Sequence, residues 1–293
     1  MNTTNVMDLI DPSETKKLFA RRDAIRAGVT AGLAMGSLPM VLAAMAKTAG
    51  AQGTNPTVND VLNFALKLEY LESEFYNIGV GLQTFPVEYR GPNGVFATGG
   101  PPKAVFDQIA KHENSHVALL KGALGAAAVA KPNFDFTGGK GAKDVNGKYM
   151  GPFADVFTNS GTFLALSQAF EDTGVRAYKG GAQFLISNIP VLETALQIHA
   201  VEARHAAKVR RIRGEKGWIN GRSNTLPAAA QGVYGPGSPS STYPAEDNTT
   251  QGGVNVTTLA ALSGTVTTAT ASESFDEPLD VGTVLAIAGL FIF

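Results

Sequence analysis

The sequence predicts an all-α protein: a bundle of four long helices with a long crossover between the second and third. An irregular C-terminal tail follows and ends in a short helix. Three observations predict it. Between Thr57 and Gly214, four segments carry helix start and stop signals around apolar stripes of helical period. These segments form an internal repeat, Glu-x6-Tyr helix then Glu-x-x-His helix, read twice. Their links are unequal, and a short link makes antiparallel neighbours while a long one can cross the length of a bundle.

Arg21 and Arg22 precede an uncharged stretch from Ala27 to Ala46, and Ala49-Gly50-Ala51 stands directly before Gln52. That is the order of a charged n-region, an h-region and a small-residue cleavage site, so residues 1–51 read as an export signal. The paired arginines resemble a twin-arginine signal, although no large aromatic stands at the usual place after them. The predicted location is periplasmic or otherwise exported, with no membrane span once the signal is removed. The bundle domain is then 52–217 and the tail 218–293.

The first helix is predicted from Thr57, with Asp60 as its capping partner, to about Gly79. Its polar residues Asn59, Asn63, Lys67, Tyr70, Glu74 and Asn77 share one sector, and Glu74 is read as solvated. The second helix starts at Pro101-Pro102 and runs towards Ala128. The third spans roughly Phe153 to Lys179, and the fourth runs from Asn188, with Pro190 in its first turn, to near Gly214. Arg204, Lys208, Arg210, Arg211 and Arg213 crowd the last turns of the fourth, where cations complement the helix dipole and meet solvent. Beyond Gly217 the chain is rich in Ser, Thr, Gly, Pro and Asn and reads as an extended tail wrapping the bundle. Within it, Val254 to Thr270 alternates in the manner of a short strand pair. Leu279 to Phe293 is too short to span a membrane and reads as a small docked helix.

Composition removes several classes of function. The chain has 293 residues, 44% of them hydrophobic and 17% charged, with a formal net charge of −1, which gives no electrostatic footprint for nucleic acid. There is no cysteine, which excludes disulfides, iron–sulfur clusters, thiolate zinc sites and cysteine nucleophiles. Asn248 and Asn255 match the short glycosylation pattern, which often occurs by chance.

The chemistry is carried by the doubled pairs. Glu113 and His116 lie one turn apart on the second helix, as do Glu202 and His205 on the fourth, and both pairs fall in the apolar stripe of their helix. An ionised carboxylate in a core stripe is costly unless it is paired or bound to a cation. One such pair is compatible with an ordinary core hydrogen bond; two in one bundle are not easily explained that way. The first and third helices supply Glu69, seven residues before Tyr76, and Glu171, seven before Tyr178. Seven residues are two turns, so each Glu shares a face with its Tyr. Four carboxylates and two imidazoles converging from four helices can hold two divalent metals. Glu72 lies in the same arc and could replace or supplement Glu69; the repeated offset to tyrosine favours Glu69. His112 reads as surface or outer partner, His199 as an outer partner one turn before Glu202, and Asp172 as a surface charge.

On these motifs the chain resembles the ferritin-like superfamily, particularly the exported ferritin-like domain proteins of bacteria, relatives of rubrerythrins and bacterioferritins. The resemblance covers about Thr57 to Gly214. It implies Glu69 and Glu171 as terminal carboxylates, Glu113 and Glu202 as bridging ones, His116 and His205 as nitrogen ligands, and Tyr76 and Tyr178 as outer tyrosines. It implies two metal ions, iron first and manganese second, with metal ions and small oxidants as partners and a homo-oligomer open. Ferroxidase, peroxidase and catalase-like activities all suit this ligand set. So does a non-catalytic, metal-binding or stress-protective protein on the same scaffold. Without cysteine there is no rubredoxin-type iron module, and no haem-ligating methionine stands in the first helix.

Overall fold

Thr57 opens the first helix with a reciprocal capping box: its hydroxyl accepts from the Asp60 amide at 3.2 Å, and the Asp60 carboxylate accepts from the Thr57 amide at 2.9 Å. The computed structural model describes residues 56–84, 89, 95–96, 100–222, 225–261 and 264–293; the export segment read from the sequence, with Gln52, lies outside these residues. The four long helices are α1 (Val58–Val80), α2 (Lys103–Leu124), α3 (Ser160–Ala182) and α4 (Ile189–Ile212). Two short helices, α5 (Thr268–Glu273) and α6 (Val281–Ala288), follow in the tail. No described helix is long and apolar enough to cross a membrane.

Side-chain bonds fix the helix directions. Asn63 reaches Ala127 and Val129 while Asn77 reaches Asn114, so α1 and α2 run antiparallel. Asp172 meets Arg210 and Gln168 meets Arg213, so α3 and α4 are antiparallel as well. Tyr76 bonds Glu171 and Tyr178 bonds Glu69, which sets α1 against α3 head to tail. It follows that α2 and α3 are parallel, and the chain between them must travel the full length of the bundle.

That crossover differs from expectation at its end. The helix predicted from Phe153 begins only at Ser160, because the Asn159 side chain accepts from the amides of Gly161 at 2.9 Å and Thr162 at 3.4 Å and caps the helix there. Phe153 and Phe157 are instead buried plugs: Phe153 stacks on Phe291 at 5.8 Å, and Phe157 meets Phe75 at 5.5 Å. Beyond Asn59, which is exposed, the polar sector of α1 is drawn into contacts rather than left to water. Asn63 clasps the start of the crossover, Lys67 and Tyr70 are buried, and Glu74, read as solvated, is a half-buried partner of Lys131.

The tail wraps α3. Arg176, in the middle of that helix, is fully buried and pairs with Glu246 at 2.9 Å. It donates to the carbonyls of Glu277 at 2.9 Å, Gly235 at 3.0 Å, Pro244 at 3.2 Å and Pro278 at 3.4 Å, and also to that of Val233. Gly180 admits the tail backbone at Leu279, since a Cβ there would lie 2.0 Å from the Leu279 carbonyl oxygen. Asp172 is a correction: it is not a surface charge but a buried partner of Arg210, and it accepts from the Tyr234 hydroxyl at 2.5 Å. Arg210 is likewise buried rather than solvated. In place of one strand pair, the described residues hold two minimal hairpins, β1–β2 (Thr250–Gln251 with Val254–Asn255) and β3–β4 (Ala260–Ala261 with Gly264–Thr265). The first turns on Gly252 and Gly253, both at positive φ as a two-residue hairpin turn requires. The terminal helix α6 is capped by Asp280, and the chain end bonds back to the crossover through Asp135 and Phe291 at 2.7 Å.

Candidate metal centre

Helix periodicity brings the six predicted residues to one place. Each Glu-x-x-His pair spans one turn of α2 or α4, and Glu69 and Glu171 project between them from α1 and α3. All four carboxylates are wholly excluded from solvent. The His205 ring is buried, and the His116 side chain keeps 12% of its surface exposed.

The donor atoms form two overlapping groups, Glu69–Glu113–His116–Glu202 and Glu113–Glu171–Glu202–His205, each with its ligand atoms within 4.8 Å of one another. Glu113 and Glu202 belong to both. Around His116 Nδ1 lie Glu69 Oε2 at 3.2 Å, Glu113 Oε2 at 3.1 Å and Glu202 Oε1 at 3.1 Å. Around His205 Nδ1 lie Glu113 Oε1 at 2.9 Å, Glu171 Oε2 at 3.1 Å and Glu202 Oε2 at 3.3 Å. The outer oxygens of the two remaining carboxylates are tied crosswise: Tyr178 donates to Glu69 Oε1 and Tyr76 to Glu171 Oε1, each at 2.5 Å. Each terminal carboxylate therefore presents its Oε2 inward.

This donor set fits divalent cations better than it fits hydrogen bonding. One ring N–H cannot satisfy three oxygens, and Glu113 Oε1 and Glu202 Oε1 are buried without a hydrogen bond despite their closeness to an imidazole. Donors held about 2.0–2.2 Å from a shared ion stand roughly 2.8–3.5 Å from each other, as these do. Oxygen and imidazole donors without sulfur suit iron and manganese alike.

Free of metal, the cluster manages its negative charge with protons. Burial, then the neighbouring Glu202, lifts Glu69 to about 8. Burial and the Glu113 and Glu202 charges hold Glu171 well above the carboxylate range, against the pull of His205. Burial alone would lower His116, but bonds to Glu113, Glu202 and Glu69 raise it to about 12. His205 is raised in the same way, mainly by Glu171 against the effect of burial. Glu202 moves the other way, to about 2, because the two imidazolium rings beside it outweigh its burial.

Glu72 does not replace Glu69. It is buried beside the cluster but outside both donor groups, and burial followed by the charges of Glu202 and Glu171 keeps it strongly protonated. The repeat breaks at this point: the counterpart of Glu72 three residues after Glu171 is Gly174, where a Cβ would sit 3.3 Å from Glu72 Oε1. The structure does not place His199 as an outer partner. Its Nε2 is buried without a partner, and no hydrogen bond joins it to the six. His112 takes that role, with Nδ1 2.8 Å from His205 Nε2. The signal for it was present in the sequence, since it precedes Glu113 on the helix that carries His116.

Residues 57–215, more than half of the chain, match the ferritin-like domain family. The chain belongs to that family, and its buried Glu/His cluster is compatible with the two-metal site of such bundles. No curated protein matches the sequence.

Proposed function

We propose that the protein is a two-metal carboxylate protein, with iron the first candidate and manganese the second, acting on ferrous iron or on reactive oxygen species. The observation that carries this reading is the sharing of Glu113 and Glu202 between two complete donor groups. Bound as a pair, two such ions would supply one electron each, two together, to an oxidant.

The remaining work belongs to side chains. Glu113 and Glu202 face both positions. Glu69 and Glu171 each face one, held by the hydroxyl protons of Tyr178 and Tyr76. Those phenols keep their protons, because burial and the adjacent carboxylates raise both well above the ordinary tyrosine value. Phe75, Phe106 and Phe163, all buried, pack around the Tyr76 ring that holds Glu171. The partly exposed His116 side marks where a small oxidant or an ion would enter.

The test is anaerobic loading with ferrous iron, followed by air or hydrogen peroxide, with ferric absorbance and peroxide consumption recorded. Turnover that disappears in Glu113→Ala supports an oxidoreductase. Full loading without turnover supports the second reading, a metal-binding protective protein, which the tight burial of the cluster favours. The export segment leads us to infer that either function is exercised outside the cytoplasm, with a mature chain starting at or near Gln52 as the readout.

A further inference from the structure

We propose that His112 is a positioning residue that holds only one of the two ligand imidazoles, His205, so that the two halves of the duplicated site are built unequal. The proposal rests on the two-metal reading and adds a difference between its two positions.

In the repeat, Glu113 and His116 correspond to Glu202 and His205. The residue before each glutamate is His112 on α2 but Val201 on α4. His112 Nδ1 lies 2.8 Å from His205 Nε2. The two rings are 12° from coplanar with centroids 5.1 Å apart, so with nitrogens this close they meet edge to edge in a nearly straight N–H···N bond. Val201 has no donor or acceptor to offer on the other side. Among the described residues no protein group bonds His116 Nε2, and that ring is the more exposed of the two ligands.

Ring chemistry sets the direction of the bond. His205 Nδ1 faces Glu113, Glu171 and Glu202, and to ligate an ion it must present a lone pair there. Its proton then sits on Nε2 and is donated to His112 Nδ1. His112 keeps its own proton on Nε2, which stands 2.7 Å from Gln108 Nε2, itself an N–H donor until the amide is turned over. Two N–H groups cannot face each other, so the Gln108 amide presents its carbonyl oxygen and accepts. The chain runs outward from His205 through His112 to the exposed Gln108. An outer partner of this kind fixes a ligand ring and raises its basicity. The Glu171–His205 position is therefore the tighter of the two, and the Glu69–His116 position is the exchangeable one.

Zinc, which has no redox chemistry, serves as the probe, titrated calorimetrically into metal-free wild type, His112→Ala and His112→Asn. In wild type two unequal steps are expected. In His112→Ala the tighter step should weaken about 10–100-fold and the weaker one stay unchanged. His112→Asn, which keeps an acceptor in place of Nδ1, should recover most of the loss. Equal weakening of both steps, no weakening, or failure of asparagine to rescue would overturn the proposal. A second readout needs no metal: nitrogen NMR of the wild-type rings should find His112 protonated on Nε2. Protonation on Nδ1 with normal two-step zinc binding would overturn the His112 role alone. A wild type that takes up no zinc would overturn the two-metal reading and the inequality built on it.

Discussion

Replacing Arg176 by methionine is expected to lower the unfolding free energy by about 3–5 kcal/mol, the range for breaking a buried ion pair from one side. The guanidinium is the largest wholly buried side chain in α3 and gathers Glu246 with carbonyls from three separate stretches of the tail. Methionine fills much of the volume but leaves Glu246 and those carbonyls without their donor. Thermal unfolding together with limited proteolysis would read the result: a lowered midpoint, and cleavage appearing first between residues 225 and 280. An intact tail and an unchanged midpoint would mean that apolar contacts dock the tail without Arg176.

The second large effect couples metal to pH. In the metal-free protein the folded state binds extra protons, because Glu69, ordinarily at 4.5, rises to about 8, and Glu72, Glu171, His116 and His205 are raised too. A raised group contributes stability that is lost as pH climbs through its folded value. Metal-free protein is thus expected to melt lower at about pH 8.5 than at about pH 5.5. Glu202, lowered to about 2, opposes this only at much more acid pH. Metal must displace those protons, so it binds better as pH rises towards 8, and the gap between loaded and metal-free melting temperatures should widen. Each site filled at a hundred times its dissociation constant adds about 2.7 kcal/mol. A gap that narrows with rising pH would contradict the protonation pattern.

The bundle and the six converging residues were legible in the sequence because both rest on local rules. Helical period puts residues three and seven apart on one face, and Pro, Asn and Gly mark the ends. The repeat then reported its own symmetry, and the crosswise Tyr76–Glu171 and Tyr178–Glu69 bonds are the form that symmetry takes in space. What was not legible depends on partners far along the chain. Asp172 and Arg210 look solvated in a helix considered alone, and nothing in α3 by itself singles out Arg176. They are buried because the tail, up to 102 residues away from Arg176, covers the outer face of α3 and supplies their bonds. The late start of α3 was missed for a related reason: Phe153 and Phe157 have helical spacing, but their apolar surface plugs the crossover. The sequence leaves His112 between surface and outer partner, because an offset of one residue from Glu113 turns it away from that carboxylate. The same offset turns it towards His205 on α4.

The most direct test of the central claim is the metal stoichiometry of wild type against Glu202→Ala after loading with manganese or ferrous iron and removal of excess. Glu202 presents one oxygen to each imidazole, so its loss opens both donor groups at once. Two equivalents per chain in wild type, falling to one or none in the variant, is the predicted result. Two equivalents retained by Glu202→Ala would show that the ion-binding groups lie elsewhere, and a wild type holding no ion would show that this bundle is a scaffold without a metal centre.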